Sequence, residues 1–247
     1  RDGGDRLENL EKMINAVEET QKRGLNRAEH RLHLRCELPH HTTLPLFEKL
    51  VDREPVSLVS LMDHSPGQRQ FASLEKYREY YQGKYSLNDV EMARYEEEQL
   101  ALAAQWSQPN RVSIAAMCRD RNIALASHDD ATHNHVRESH QLGSVIAEFP
   151  TTFEAAEASR AHGMNVLMGA PNIVRGGSHS GNVAASKLAS LGLLDILSSD
   201  YYPASLLDAA FRVADDDSNC FTLSQAIRLV TKNPASALNL HDRGEIE

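Results

Sequence analysis

Cysteine is scarce in this chain, and the pattern of the few present excludes a disulfide framework. Cys36, Cys118 and Cys220 are odd in number and show no CxxC spacing, so neither a stapled secreted domain nor a thiolate zinc site is expected, and a reducing compartment suits them. No run reaches the roughly 18 consecutive apolar residues that a membrane helix needs, and the first residues lack the basic-then-apolar order of a signal peptide. These absences point to a cytoplasmic protein with no membrane partner. Basic charge is also in deficit. With 26 Lys and Arg against 35 Asp and Glu, the formal net charge is −9, whereas broad nucleic-acid binders carry a basic surface. Nucleic acid is therefore not an expected partner, and any recognition of phosphate must be local. An initiator methionine is missing too: the chain begins at Arg1, from which an incomplete protein is expected.

What is present is enough for a large core. The 247 residues are 41% hydrophobic, which suits one large α/β domain or two small ones and leaves a homo-oligomer open. Leu7, Leu10, Met13, Ile14 and Val17 recur at helical spacing, with Gly24 placed to cap the helix. Strands are predicted at 31–37, 56–64, 123–128, 144–149, 165–169 and 193–197, separated by helical segments. Thr151 and Glu154 have capping-box spacing for a helix through about 161. Residues 73–107 are charged and mostly helical, with a break expected near Gly83 and a restart capped by Ser86 and Asp89. They read as an inserted helical hairpin, and a separate helix is expected near 111–120.

Six strands alternating with helices fit parallel βα units, either as a doubly wound sheet or as part of a barrel. Glu37, His64, His128 and Asp200 all fall at C-terminal strand ends, where a (β/α)8 barrel gathers its active site. That tilts the expectation to an α/β fold of TIM-like barrel type. Six strands cannot close it, so the first strands would lie upstream and 1–247 would be a partial barrel.

Imidazole and carboxylate groups at separate strand ends suit zinc, manganese or a similar divalent metal, which lowers the pKa of water and makes a nucleophile near neutral pH. A single His or Asp at a strand end is more often a loop hydrogen-bonder; four at equivalent positions shift the balance. His33 shares a strand face with Arg35 and Glu37 and could be a fifth site residue or a core-facing histidine, the latter being favoured. His133, His135 and His140 fit a metal or phosphate site and a solvated helix equally. His30, His40, His41, His162 and His241 lack comparable context and are expected at the surface.

The most distinctive run is Gly169-Ala-Pro-Asn-Ile-Val-Arg-Gly-Gly-Ser-His-Ser-Gly-Asn182. Gly176, Gly177 and Gly181 permit close backbone approach, Ser178 and Ser180 offer hydroxyls, and the amides of a following helix can face an anion. Arg175 adds a fixed charge, and His179 can donate to phosphate or act as an acid. The glycines could merely permit a turn, but Arg, Ser and His beside them favour an anion loop.

The runs LHLRCEL, SLMDHSPGQRQF, ASHDDAT, AEFPTT, MGAPNIVRGGSHSGN and SSDYYPASLL span almost the whole chain. Together they resemble the diphosphatases of phosphonate catabolism within the amidohydrolase superfamily of metal-dependent hydrolases. The resemblance implies hydrolysis of a ribose methylphosphonate 5-triphosphate to the 5-phosphate and pyrophosphate, a small polyphosphate and phosphonate substrate, and a bound divalent metal. It assigns Glu37, His64, His128 and Asp200 to the metal and to proton handling, with Asp200 and His128 catalytic and Asp200 the base for the attacking water. Arg175, Gly177, Ser178, His179 and Ser180 would face the substrate. The superfamily's first-strand motif, His-x-His or a His-x-Asp variant, and its small flanking β domain have no counterpart here, although 241–246 resembles the approach to that domain, so this segment alone is expected to be inactive. Other amidohydrolase chemistry, a cyclic amidase or deaminase, and a non-catalytic interaction module are the competing readings.

Overall fold

Helix α1 (Gly4–Lys22) leads into β1 (Leu32–Glu37), and α2 (Thr43–Leu50) returns the chain to β2 (Val56–Met62). After a tight turn of helix at Arg69–Phe71 come α3 (Leu74–Tyr85) and α4 (Asp89–Asp120), then β3 (Ala124–His128), α5 (His133–Gln141), β4 (Ile146–Glu148), α6 (Phe153–Ala161) and β5 (Asn165–Gly169). Two short helices, α7 (Ala170–Val174) and α8 (Ala185–Ser190), precede β6 (Ile196–Ser198), and α9 (Ser205–Asp215), α10 (Leu223–Arg228) and α11 (Lys232–Ala237) follow it. This computed structural model describes residues 4–71, 73–178 and 181–246. Among them no helix is long and apolar enough to cross a membrane.

The six strands form one parallel sheet in the order β1 to β6, each beside its sequence neighbour. A doubly wound sheet reverses its strand order at a switch point. No reversal occurs among these strands, so the doubly wound alternative does not describe this sheet.

Side chains alternate between the two faces of a strand. On the outer face, Leu34, Cys36, Val59, Leu61 and Leu125 pack with Phe47 of α2, Val51 just after it, and Ile114 and Cys118 of α4, while Val166, Met168 and Leu197 pack with Leu188, Ala209, Val213 and Leu229. Leu38, Val59 and Ile114 are fully buried there; trimming such a residue to alanine costs about 2–5 kcal/mol. The inner face carries a second, smaller layer of Leu58, Ala126, Ile146, Leu167 and Ile196.

Several helix boundaries depart from the sequence expectation. Ser86 does not open a helix; it closes α3 in a left-handed conformation, φ 54°. Asn88 caps the next one, in a reciprocal capping box with Glu91. That helix does not stop near 107 but runs through Pro109 to Asp120. The turn after the proline is pinned from outside, because Asn110 Nδ2 donates to the carbonyls of Leu38 (2.8 Å) and His40 (3.0 Å) at the exit of β1. Thr152, not Thr151, caps α6, and Glu154 accepts from the His133 amide of α5 instead of closing a box. Gly24 does end α1, with φ 64° and the Leu25 amide bonded back to Thr20. Residues 241–245 form turns, with Arg243 paired to Glu29.

Candidate metal centre

Toward the C-terminal ends of the strands the inner face turns polar. Glu37, Ser60, His128 and Glu148 occupy the same alternating phase as the apolar layer, and His128 lies level with Glu148 in the β3–β4 register. The chain then turns sharply. Asp129, Phe149 and Asp200, just past β3, β4 and β6, all have left-handed backbones, with φ 55°, 57° and 48°. Aspartate tolerates this conformation; a bulky residue such as Phe149 is an outlier there. At Asp129 the turn breaks the strand alternation, so neighbouring residues 128 and 129 both face the same side.

Two carboxylates orient the two histidines. His64 Nδ1 lies 2.6 Å from Glu37 Oε2, whose other oxygen accepts the His64 amide at 3.0 Å. His128 Nδ1 lies 2.7 Å from Glu148 Oε2. An ionised carboxylate only accepts, so each Nδ1 carries the proton. The Nε2 atoms then meet over Asp129, whose Oδ2 is 3.6 Å from His64 Nε2 and 3.4 Å from His128 Nε2. Arg35 Nη2 also approaches His128 Nε2, at 3.1 Å. A guanidinium can only donate, so that nitrogen presents a lone pair.

His64, His128 and Asp129 are the group of potential ligands found among the described residues, with donor atoms within 4.8 Å of one another. Two imidazole nitrogens and one carboxylate oxygen suit a divalent cation of the zinc type, whose catalytic sites use three protein ligands and leave a position open. Carboxylates behind the ligating histidines are the usual supporting arrangement. Without a cation between them, the same carboxylates favour a proton on His64 instead. Burial opposes charge on His64, but hydrogen bonds to Asp129 and Glu37 outweigh it and raise its pKa to about 10. Burial likewise works against an ionised Glu148, yet its hydrogen bond to His128 and the nearby His128, His33 and Ser60 hold it at about 2.

A cavity of about 280 Å³ opens above this cluster. His64, His128, Asp129 and Arg35 form one side; Asn172, Arg175, Gly177, Ser178, Asp200 and Tyr201 form much of the rest. Of the residues singled out from sequence, His64, His128, Asp200, Arg175, Gly177 and Ser178 thus share one cavity, and Glu37 touches it through His64. His179 and Ser180 lie outside the described residues. Arg175 Nη1 donates to the Tyr201 hydroxyl at 2.7 Å. Asp200 Oδ2 comes within 3.5 Å of where a Cβ on Gly169 would lie.

His33 is not in the core. It is exposed on the inner face and bonds Ser60 at 2.5 Å. The His133, His135 and His140 cluster is a largely solvated helix: His133 and His140 are exposed, His135 Nδ1 accepts from the Ala131 amide, and His140 stacks on His162. Asp129, Glu148 and Arg35 were missed as site residues.

Behind the cluster lies an ionic lattice that is buried except at Glu138. Arg69 pairs with Asp130 and, at 3.2 Å, with Glu138; Arg111 pairs with Asp63 at 3.2 Å and Glu138 at 3.5 Å. Burial and the neighbouring Arg111 charge lower Arg69 to about 10. Asp63 precedes His64 and Asp130 follows Asp129, so the lattice clamps both strand exits.

The fold is similar to that of a solved metal-dependent hydrolase. An uncharacterized metal-dependent hydrolase from Pyrococcus furiosus superposes with a TM-score of 0.54 at 15% identity, over 95% of this chain and 51% of that one. A prolidase complexed with N-methylphosphonate-L-proline reaches a TM-score of 0.42 at 14% identity, over 86% of this chain and 65% of that one, too low to bear on the fold. No family model matches the chain. In sequence, the chain is 88% identical over 246 residues to the alpha-D-ribose 1-methylphosphonate 5-triphosphate diphosphatase of Escherichia coli strain K12. That alignment takes in 100% of this chain and 65% of that protein. Over the segment it spans, the chain is a close homologue of that diphosphatase.

Proposed function

We propose that this chain forms most of the catalytic barrel of a cytoplasmic, metal-dependent diphosphatase that converts alpha-D-ribose 1-methylphosphonate 5-triphosphate to the 5-phosphate and pyrophosphate. One observation carries the hydrolase reading: a single cavity holds the His64, His128 and Asp129 donors on one side and the Arg175–Ser178 loop on the other. The choice of substrate rests on the 88% identity to the E. coli enzyme. The monotonic strand order supports a (β/α)8 barrel to which β1–β6 contribute an arc, with α3 and the first part of α4 inserted over its mouth.

A divalent cation, zinc or manganese, would supply charge that lowers the pKa of water and offsets negative charge building on the phosphates. His64, His128 and Asp129 would hold it, with Glu37 acting through His64. Asp200, on the cavity wall, takes the proton as water oxygen attacks phosphorus at the anhydride between the first and second phosphates. The P–O bond to pyrophosphate breaks, and the leaving oxygens are met by Arg175 and the loop through Ser178, a role the sequence also offers to His179 and Ser180. Arg35 faces the same space and adds a second fixed cation.

The full-length protein that carries this segment should release pyrophosphate from the triphosphate, lose that activity after exhaustive chelation and regain it with zinc or manganese. Hydrolysis of cyclic amides in place of the triphosphate would overturn the assignment in favour of another amidohydrolase chemistry.

A further inference from the structure

Glu148 is the only carboxylate in β4, stands in the inward phase of Ile-Ala-Glu, and is 6% exposed. Its Oε2 is engaged twice, by His128 Nδ1 at 2.7 Å and by Ser60 Oγ at 2.7 Å. Ser60, fully buried on the same sheet face in β2, across β3, is in turn 2.5 Å from His33 Nε2. The donor directions in this chain are determined by its one acceptor-only member. Glu148 accepts from both neighbours, so Ser60 spends its only proton on Glu148 and must accept from His33, which places the His33 proton on Nε2.

We infer that Glu148 is a positioning residue of the proposed centre: it holds His128 with Nε2 turned to the cation, and Ser60 and His33 hold Glu148 in place. The inference rests on the reading of His64, His128 and Asp129 as cation ligands. Glu148 does not line the cavity, and its bonded oxygen is committed to two donors, so it acts through His128 and not on the substrate. Without it, the His128 ring could carry its proton on either nitrogen and turn about its side-chain bonds. One of the two protonation states would then place N–H where a lone pair is needed.

The test is zinc affinity, measured on the metal-stripped protein by competition with a chromophoric chelator, together with thermal unfolding of the stripped protein. Glu148→Ala should raise the zinc Kd about 10- to 100-fold, the usual size of such supporting effects. Glu148→Gln keeps an acceptor oxygen but loses the charge, so its Kd should rise less, and Ser60→Ala less again. At saturating zinc, pyrophosphate release by Glu148→Gln should return to within a few-fold of the parent, a rescue that general damage to the fold would not allow. If Glu148→Ala fails to fold, Glu148→Gln and Ser60→Ala carry the test. Zinc Kd values within twofold of the parent in all folded variants would overturn the inference. Parental zinc binding by His64→Ala and His128→Ala would instead overturn the centre itself, and the inference with it.

Discussion

Replacing Arg111 with methionine would remove one guanidinium from the lattice behind the centre while keeping much of the volume of its stem. Arg111 is 5% exposed and its partner Asp63 is 4% exposed, with Nη2 and Oδ2 3.2 Å apart. The variant would therefore strand a carboxylate with little access to water. Breaking a buried pair from one side costs about 3–5 kcal/mol. The second contact, to Glu138, is longer and its partner is 39% exposed, so it adds little. For a domain of this size each kcal/mol shifts Tm by roughly 2–4 °C, which gives a fall of roughly 6–20 °C in a calorimetric scan at neutral pH. Arg111→Met combined with Asp63→Asn removes the stranded charge and should recover most of that loss, a strongly non-additive cycle. Because Asp63 adjoins His64, the single variant should also bind zinc more weakly. A fall below about 2 °C, or a double variant as unstable as the sum of its singles, would refute the view that this pair clamps the β2 exit.

Arg175→Ala should lower kcat/KM for the triphosphate roughly 10- to 150-fold, the loss of one charge-assisted hydrogen bond, with zinc content unchanged; unchanged kinetics would remove the loop from the substrate site. Asp200→Asn should cut pyrophosphate release about 10²- to 10⁴-fold, the range for a general base, and full activity would exclude Asp200 from that role. In the metal-stripped protein, His64 sits at about 10 against an ordinary 6.5, so protonation favours the folded state. That stabilisation is complete below about 6.5 and disappears as pH rises through about 10. The Tm advantage of the stripped parent over His64→Gln should accordingly shrink across this window; a constant difference would contradict the ion pairs to Glu37 and Asp129.

The six strands were legible because short apolar runs end at turn residues, and the strand-end placement of His64, His128 and Asp200 was legible for the same reason. Alternation would also have exposed Glu148, since a lone acid in the inward phase of an apolar strand needs a buried partner. Asp129 was harder. Regular alternation puts it opposite His128, and only its left-handed backbone brings it round. Glu37 was read as a ligand from its position, yet the structure seats it on the far nitrogen of His64, a distinction of a few ångströms that spacing does not encode. The continuation of α4 through Pro109 is accompanied by Asn110 reaching the β1 exit, contacts across 70 and 72 residues of chain.

The measurement that bears most directly on the whole account is an anomalous-scattering map from crystals of the protein loaded with zinc. The account places one strong peak among His64 Nε2, His128 Nε2 and Asp129 Oδ2, on the floor of the cavity shared with Arg175 and Asp200. A zinc peak elsewhere, with these three side chains still bonded only to one another and to Arg35, would contradict it.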